Sequence, residues 1–421
     1  MDPSGTRWEP IATGYRADMG IAKRLLEEQY AREFHTRRGQ DAVCSRCIND
    51  PALADFVSQR STKSQCGFCG RLNAQTVEVD TLFHYMLECL KVEWEDPIHQ
   101  VGWDHGYDKF VEIVDSYDLL FLLDDPLGHD DLDEEFVAAF EHDWCRCDPY
   151  RLDPFDVLIL SWEHFRNITT TRRRYLVTLK PADWRPGDNE LVNPEEMLDA
   201  IGNAILRAGD RVFRRTNDVR IIRARTHDPS QVLQNATELG PPPSRRARDS
   251  RMSPAGISLF YGAESTQTAI AEVRPTADQA VTVGTWIPSR ELIYLDLLAA
   301  PPTPSIFDES GRADRVWLNF LARFADDLAQ PIDVDRDPAE YVPTQIVTEY
   351  LRDHLRTSDG QPIDGIRYKS AADETDGVCW VVFFGHDECT RSAADVPPLI
   401  HLDIDSVCRH DPGSAQAISD W

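Results

Sequence analysis

The sequence predicts a multidomain chain: a mostly helical N-terminal domain with a four-cysteine zinc knuckle, then an α+β C-terminal domain. Three observations carry this. A length of 421 residues exceeds one ordinary domain and points to two or three. Two Cys-x-x-Cys pairs, Cys44/Cys47 and Cys66/Cys69, follow one another closely near the N-terminus. Beyond Gly209 the apolar residues change from helical spacing to short alternating runs.

Composition narrows the function. A hydrophobic content of 42% is enough for real cores, and a net charge of −28 repels nucleic-acid phosphates while suiting a basic partner protein. No basic-then-apolar leader and no membrane-length apolar run is found, so the expected location is the cytoplasm.

The first element is a helix over Ile21 to Phe34, with Leu25, Leu26 and Tyr30 spaced for one face. The cysteine pairs follow. Each Cys-x-x-Cys turn offers two thiolates to one ion, and two turns complete a closed tetrahedral Zn²⁺ site of structural rather than catalytic type. Gly67 and Gly70 allow the tight turn. Val77 to Leu90 suggests an amphipathic helix or strand, and Tyr107 to Leu123 a further helix. Asp124 to Glu135 is acidic without the alternation of a Ca²⁺ loop, which makes it a solvated loop and helix start. Cys145 and Cys147 stand too close for the usual knuckle but could add to a metal site. Ser161 to Leu179 is read as a helix.

Proline, glycine and polar residues cluster over Lys180 to Asn189 and place a boundary there. The expected division is 1–180 helical, 181–210 linker and helix, 211–408 catalytic and 409–421 a loose tail. Asn193 is the predicted N-cap of a helix with Pro194 at its first position, Glu196 completing a capping box and Gly209 ending it. Strands are predicted at 211–213, 220–225, 281–286, 292–297, 363–369 and 378–384, with helices at 314–329 and 344–355. Mixed short strands with few helices indicate α+β. Gly240-Pro-Pro-Pro243 is a stiff connection outside any sheet.

The C-terminal half is organised around Arg251 to Arg274. Gly256 to Gly262 is read as a short buried strand that puts Tyr261 at its exit. Ser265 or Thr266 caps a helix that Pro275 stops, with Glu272 on the side of the strand end. An arginine, a tyrosine and a glutamate in one such unit suit an anionic substrate with a flat ring and a cationic transition state.

Arg223-Ala-Arg225, Leu239-Gly-Pro-Pro-Pro243, Arg251-Met-Ser-Pro-Ala-Gly256, Phe260-Tyr-Gly262, Thr268-Ala-Ile-Ala-Glu272 and Tyr368-Lys-Ser370 resemble the RES domain. The resemblance spans about 211–390. The N-terminal part is similar to the HEPN-like domain that precedes some RES domains. The Arg-then-His pair of HEPN nucleases has no clear copy here, which argues against RNase activity.

The RES resemblance implies a fold similar to ADP-ribosyltransferase toxins, NAD⁺ as substrate, and an NAD⁺ glycohydrolase or phosphorylase activity. It also implies a toxin of a toxin–antitoxin or defence system, with a cognate antitoxin or other regulatory protein as partner. It assigns catalytic roles to Arg251, Tyr261, Glu272 and Ser370, and substrate binding to Arg223, Arg251 and Tyr261, with Arg225 a rival for Arg223. Arginine forks match phosphate oxygens. An aromatic face attracts a cationic ring. A carboxylate steadies the oxocarbenium character that develops when the nicotinamide–ribose bond breaks. Ser370 is expected to bond ribose or the nicotinamide amide. Transfer of ADP-ribose to a macromolecule and a non-catalytic zinc-domain binding module are the alternatives.

Overall fold

A computed structural model describes residues 34, 36–97, 103–104, 109–110, 113–177, 179, 190–298, 302–330, 338–373, 375–390 and 398–411. The helix expected over Ile21 to Phe34, the polar linker at 180–189 and most of the expected tail lie outside these residues. The chain divides into two compact units, Met1–Tyr150 with Ser305–Glu309, and Arg151–Pro304 with Ser310–Trp421.

The first unit contains a small antiparallel sheet in the order β1-β3-β2, from β1 (Ala42–Cys44), β2 (Thr62–Ser64) and β3 (Ala74–Glu78). Helix α1 (Pro51–Arg60) starts where Asp50 accepts from the Leu53 N–H and Pro51 fills the first position. The stretch read as helix or strand is both: β3 runs directly into α2 (Val79–Leu90), whose Val79, Leu82, Phe83, Met86 and Leu90 form one buried face. Helices α3 (Ser116–Leu122) and α4 (Asp130–Ala139) follow, β4 (Trp94–Glu95) pairs antiparallel with β5 (Cys145–Arg146), and Phe83 meets Phe136 edge-on at 5.4 Å. Ile306 and Phe307 are buried in this same core, and the Tyr85 hydroxyl donates to the Phe307 carbonyl at 2.8 Å.

The acidic stretch is a loop and helix start, as read. Asp133 in α4 pays for its surroundings: burial first, then Asp125 and Asp130, push its carboxyl up from 3.8 to about 6.

The second unit is built on an eight-stranded sheet. Its strands are β6 (Phe213–Thr216), β7 (Ile221–His227), β8 (Phe260–Ala263), β9 (Ala280–Pro288), β10 (Leu292–Asp296), β11 (Gly365–Lys369), β12 (Val378–Val382) and β13 (Ile400–His410), and the order is β13-β9-β7-β8-β12-β11-β10-β6. The β10–β11 pair is parallel and the other neighbours are antiparallel. Helices α5 (Pro154–Thr171), α6 (Met197–Ala208), α9 (Arg315–Ala329) and α10 (Val342–Asp353) join one face in a core with Leu295, Ile366, Tyr368, Cys379 and Val381. The opposite face buries Ile221, Phe260, Trp286, Trp380 and Val382 with Leu239 of the short helix α7 (Ala236–Leu239) and Cys389 of α11 (His386–Thr390).

The α+β reading and the predicted strands agree with this sheet, apart from their ends. Four differences have physical causes. The unit begins at Arg151, before the boundary expected at 180, because Trp162 and Phe165 of α5 are buried in its core and Trp162 Nε1 donates to Asp327 at 2.8 Å. Asn193 does not cap α6: residues 194–196 form a turn, and the helix starts at Met197 without a side-chain cap. The strand expected from Gly256 begins only at Phe260. The last strand, β13, continues to His410, past the point where a loose tail was expected. Its outer positions are polar, which hid an edge strand from hydrophobic periodicity.

Two outcomes follow. Trp162→Ala is expected to cost about 3–5 kcal/mol, read as a lower urea midpoint of the full chain. For Asp133 the folded form releases its proton later than the unfolded chain does. Stability is therefore expected to fall as pH rises from about 4 to about 6, and Asp133→Asn to remove that part of the pH profile in thermal melts.

Candidate functional site

The first unit brings its two cysteine pairs together. Cys44 and Cys47 flank a single 3₁₀ turn after β1, and Cys66 and Cys69 lie in the β2–β3 connection, where Gly70 takes φ of +72°. The Sγ atoms of Cys44 and Cys47 are 3.8 Å apart, those of Cys44 and Cys69 3.6 Å, and those of Cys47 and Cys66 3.8 Å. All four lie within 4.8 Å of one another. A tetrahedron with metal–sulfur bonds of about 2.3 Å has edges of about 3.8 Å, so the spacing fits one thiolate-bound ion. Burial pushes the Cys44 and Cys47 thiols up, whereas the backbone N–H of Arg71 draws Cys69 down to about 7. Among the described residues this metal-capable group does not include Cys145 or Cys147.

The second unit assembles a carboxylate site where β8 turns into helix α8 (Thr266–Val273). Ser265 is the cap, accepting from the Thr268 N–H at 3.0 Å, and the helix stops at Arg274, which is left-handed with φ of 46° ahead of Pro275. Glu272 sits in the last turn. Facing it is the β11–β12 connection, closed by the Ser370 N–H donating to the Gly377 carbonyl at 2.8 Å. The Thr268 hydroxyl donates to Asp373 at 2.6 Å, tying that connection to α8. A Cβ at Gly377 would stand 2.4 Å from an Asp373 oxygen, so a side chain there would push on the Thr268–Asp373 pair.

Ser370 is 4% exposed. Its oxygen accepts from the N–H groups of Ala372 and Asp373, each at 3.2 Å, and its one proton goes to Glu272 Oε1 at 2.5 Å. The Cys379 thiol donates to the same oxygen at 3.2 Å. Glu272 Oε2 has no hydrogen-bond partner among the described residues. Ser370 therefore acts on the glutamate; the sequence reading aimed it at the ligand.

Two tyrosines, Tyr368 and Tyr341, feel the charge of this carboxylate. Tyr368 pairs with Cys379 across the β11–β12 ladder, and burial raises its hydroxyl well above the usual range, with Cys379, Glu272 and Tyr261 adding and Arg251 opposing. The Tyr261 hydroxyl shares a hydrogen bond of 3.0 Å with Ser253 and is pushed by burial to about 12. Tyr341 is raised by burial, while Arg251 and Arg274 lower it and Glu272 raises it. Arg251, Tyr261, Glu272 and Ser370 thus share one electrostatic neighbourhood. The Arg251 guanidinium donates to the carbonyls of Leu328 and Gln330 at the end of α9, where helix carbonyls want cations.

Arg223 and Arg225 do not join them. Ile222 pairs with Ala263 on the face that α8 covers, so strand alternation turns Arg223 and Arg225 to the opposite face. There Arg223 donates to the carbonyls of Leu239 at 3.1 Å and Tyr261 at 2.6 Å, with its guanidinium 5.4 Å from the Phe260 ring. Exposed Arg225 donates to the Glu238 carbonyl. Both hold the end of α7. Burial lowers Arg223 to about 10, which leaves it charged at neutral pH.

A cavity of about 890 Å³ lies elsewhere in this unit, lined by residues that include Glu195, Asp199, Asp249, Gln345 and Tyr350. None of Arg223, Tyr261, Glu272 or Ser370 lines it, so it is not the carboxylate site.

Residues 220–405 match the family model of the RES domain. The chain carries a RES domain. Residues 59–183 match HEPN/RES N-terminal domain 1, which takes in the second cysteine pair but not the first. Comparison with curated proteins gives no match. The RES domain match contains Arg223, Arg225, Arg251, Tyr261, Glu272 and Ser370. No described helix is long and apolar enough to cross a membrane.

Sequence reasoning missed Cys379 and the Thr268–Asp373 bond. Tyr368 stood in a quoted motif but was given no role. The available signal was the pairing of two adjacent predicted strands, which sets Cys379 opposite Tyr368 once their register is known.

The four-thiol site carries its own test. Elemental analysis of the purified chain is expected to give about one Zn²⁺ per chain, and Cys47→Ser to lose it along with much of the first unit's thermal stability.

Proposed function

We propose that the RES domain of this chain destroys NAD⁺ by cleaving its nicotinamide–ribose bond, as a glycohydrolase or phosphorylase. RES domains are linked to NAD-related toxins. The observation that carries the reading is the Glu272 carboxylate, held on one oxygen and, among the described residues, unpartnered on the other, beside Tyr368, which also feels Tyr261 and Arg251.

Leaving nicotinamide takes the bonding electron pair and neutralises its ring nitrogen, while positive charge develops on the ribose. Glu272 Oε2 would face that charge and stabilise it. Attack by water yields ADP-ribose and a proton; attack by phosphate yields the phosphorylated sugar. Tyr261 supplies an aromatic face for the pyridinium ring. Arg251 spends two N–H groups on carbonyls, and a guanidinium has five, so donors remain for a pyrophosphate. Arg223 and Arg225 enter as supports of the neighbouring α7 end. In the first unit the four thiolates would hold a structural Zn²⁺.

An NAD⁺-degrading enzyme harms its own cell, which makes the chain a toxin in need of a neutralising partner protein. A charge of −28 suits a basic one.

The test is release of nicotinamide from NAD⁺ by the purified chain. Glu272→Ala is expected to lower kcat by about 10²-fold or more, followed by chromatography of nicotinamide and ADP-ribose with and without phosphate. No release by the wild type, or undiminished release by the variant, overturns the reading. Labelled NAD⁺ that marks a macromolecule in place of free products would make the chain an ADP-ribosyltransferase.

A further inference from the structure

We propose that Cys379 is a positioning residue for this reaction: its thiol joins Ser370 in fixing Glu272 Oε1, so that Oε2 is presented to the ribose cation. The inference rests on the role given to Glu272 above and extends it to a residue outside the motifs that resemble the family.

The geometry supplies the reason. The terminal torsion of a glutamate is broad and roughly two-fold, so one hydrogen bond leaves the carboxylate free to swivel about the donor. Ser370 and Cys379 reach the same oxygen from different elements, the first from the loop after β11 and the second from β12. Two donors on one oxygen remove that swivel and leave the other oxygen in a defined direction. Cys379 is 2% exposed, and its backbone is set by Tyr368 on one side and Ala263 on the other, both paired with it. Its sulfur therefore has little room to move. Burial, then the charge of Glu272, push the thiol upward, so it stays protonated and serves as a donor, not as a nucleophile.

The role separates Cys379 from a merely packed core thiol. Cys379→Ala and Cys379→Val remove the donor, the second with the volume restored; Cys379→Ser keeps a donor. In the full chain, kcat for nicotinamide release is expected to fall about three- to tenfold in the alanine and valine variants, the effect of one hydrogen bond of ordinary strength from a weak thiol donor. KM for NAD⁺ is expected to stay within about twofold, because the contact matters as charge develops. The serine variant is expected to recover most of the loss. In a Glu272→Ala background, Cys379→Ala should add nothing.

A second readout does not need turnover. The wild-type minus Cys379→Ala infrared spectrum isolates the Cys379 S–H stretch from the other nine cysteines. That band is expected at a hydrogen-bonded frequency, moving up to the free-thiol position in Glu272→Ala. A band that does not move, or an alanine and a valine variant that both turn over like wild type, overturns the proposal. So does a loss of kcat that tracks melting temperature and is not recovered by serine. If the wild type releases no nicotinamide, the reading of the reaction fails, and the infrared band still decides whether the thiol holds Glu272.

Discussion

A serine hydroxyl has one proton to give, and at Ser370 its direction is already decided. Two backbone N–H groups, of Ala372 and Asp373, occupy the oxygen, which leaves Glu272 as the recipient. Everything else in the neighbourhood serves that arrangement. The connection from Ser370 to Gly377 is held shut by a main-chain bond, pinned to α8 through Thr268 and Asp373, and closely packed by that pair at Gly377. The Ser265 cap fixes where α8 begins and so where its last turn delivers Glu272. On the proposed function, a carboxylate held this way would be ready before a substrate arrived, which is how electrostatic stabilisation avoids reorganisation during a reaction.

The pleat of the sheet sorts the family residues into two jobs. Tyr261, Cys379 and Tyr368 stand on the helix-covered face, and the guanidinium groups of Arg223 and Arg225 stand on the other. A motif of two arginines separated by one residue looks like a phosphate clamp in a linear sequence. In the fold both are engaged by carbonyls at the end of α7, beneath which lie Phe260 and Trp286. Arg223, with two carbonyl partners, is a structural part whose removal would strand those acceptors.

Much of this could be read from residues alone. The cysteine pairs announced their site because two Cys-x-x-Cys turns are the usual spelling of a four-thiolate metal site. Ser265 and Pro275 bracketed α8 because a cap and a stop are local chemistry. Four features resisted, three of them for a non-local reason. Strand pairing puts Cys379 against Glu272, and pairing partners are distant in sequence. The helix α5 belongs with the second unit because of Trp162 and its bond to Asp327, a partner far along the chain. Asn193, Pro194 and Glu196 had the spelling of a helix start, yet residues 194–196 turn before the helix begins at Met197. Arg223 and Arg225 were placed correctly on a strand, but their side could not be known until α8 showed which face it covers.

The short segment Ser305–Glu309 has a bearing on how the molecule is made. It supplies Ile306 and Phe307 to the core of the first unit although it lies well inside the second half of the chain. On a ribosome, synthesis runs from the N-terminus, so the early unit stays short of two core residues until most of the polypeptide has emerged. By then β6 to β10 and the turn into α8 have been translated, whereas β11, β12 and therefore Ser370 have not. Completion of the thiol-bearing unit thus cannot precede translation of Glu272.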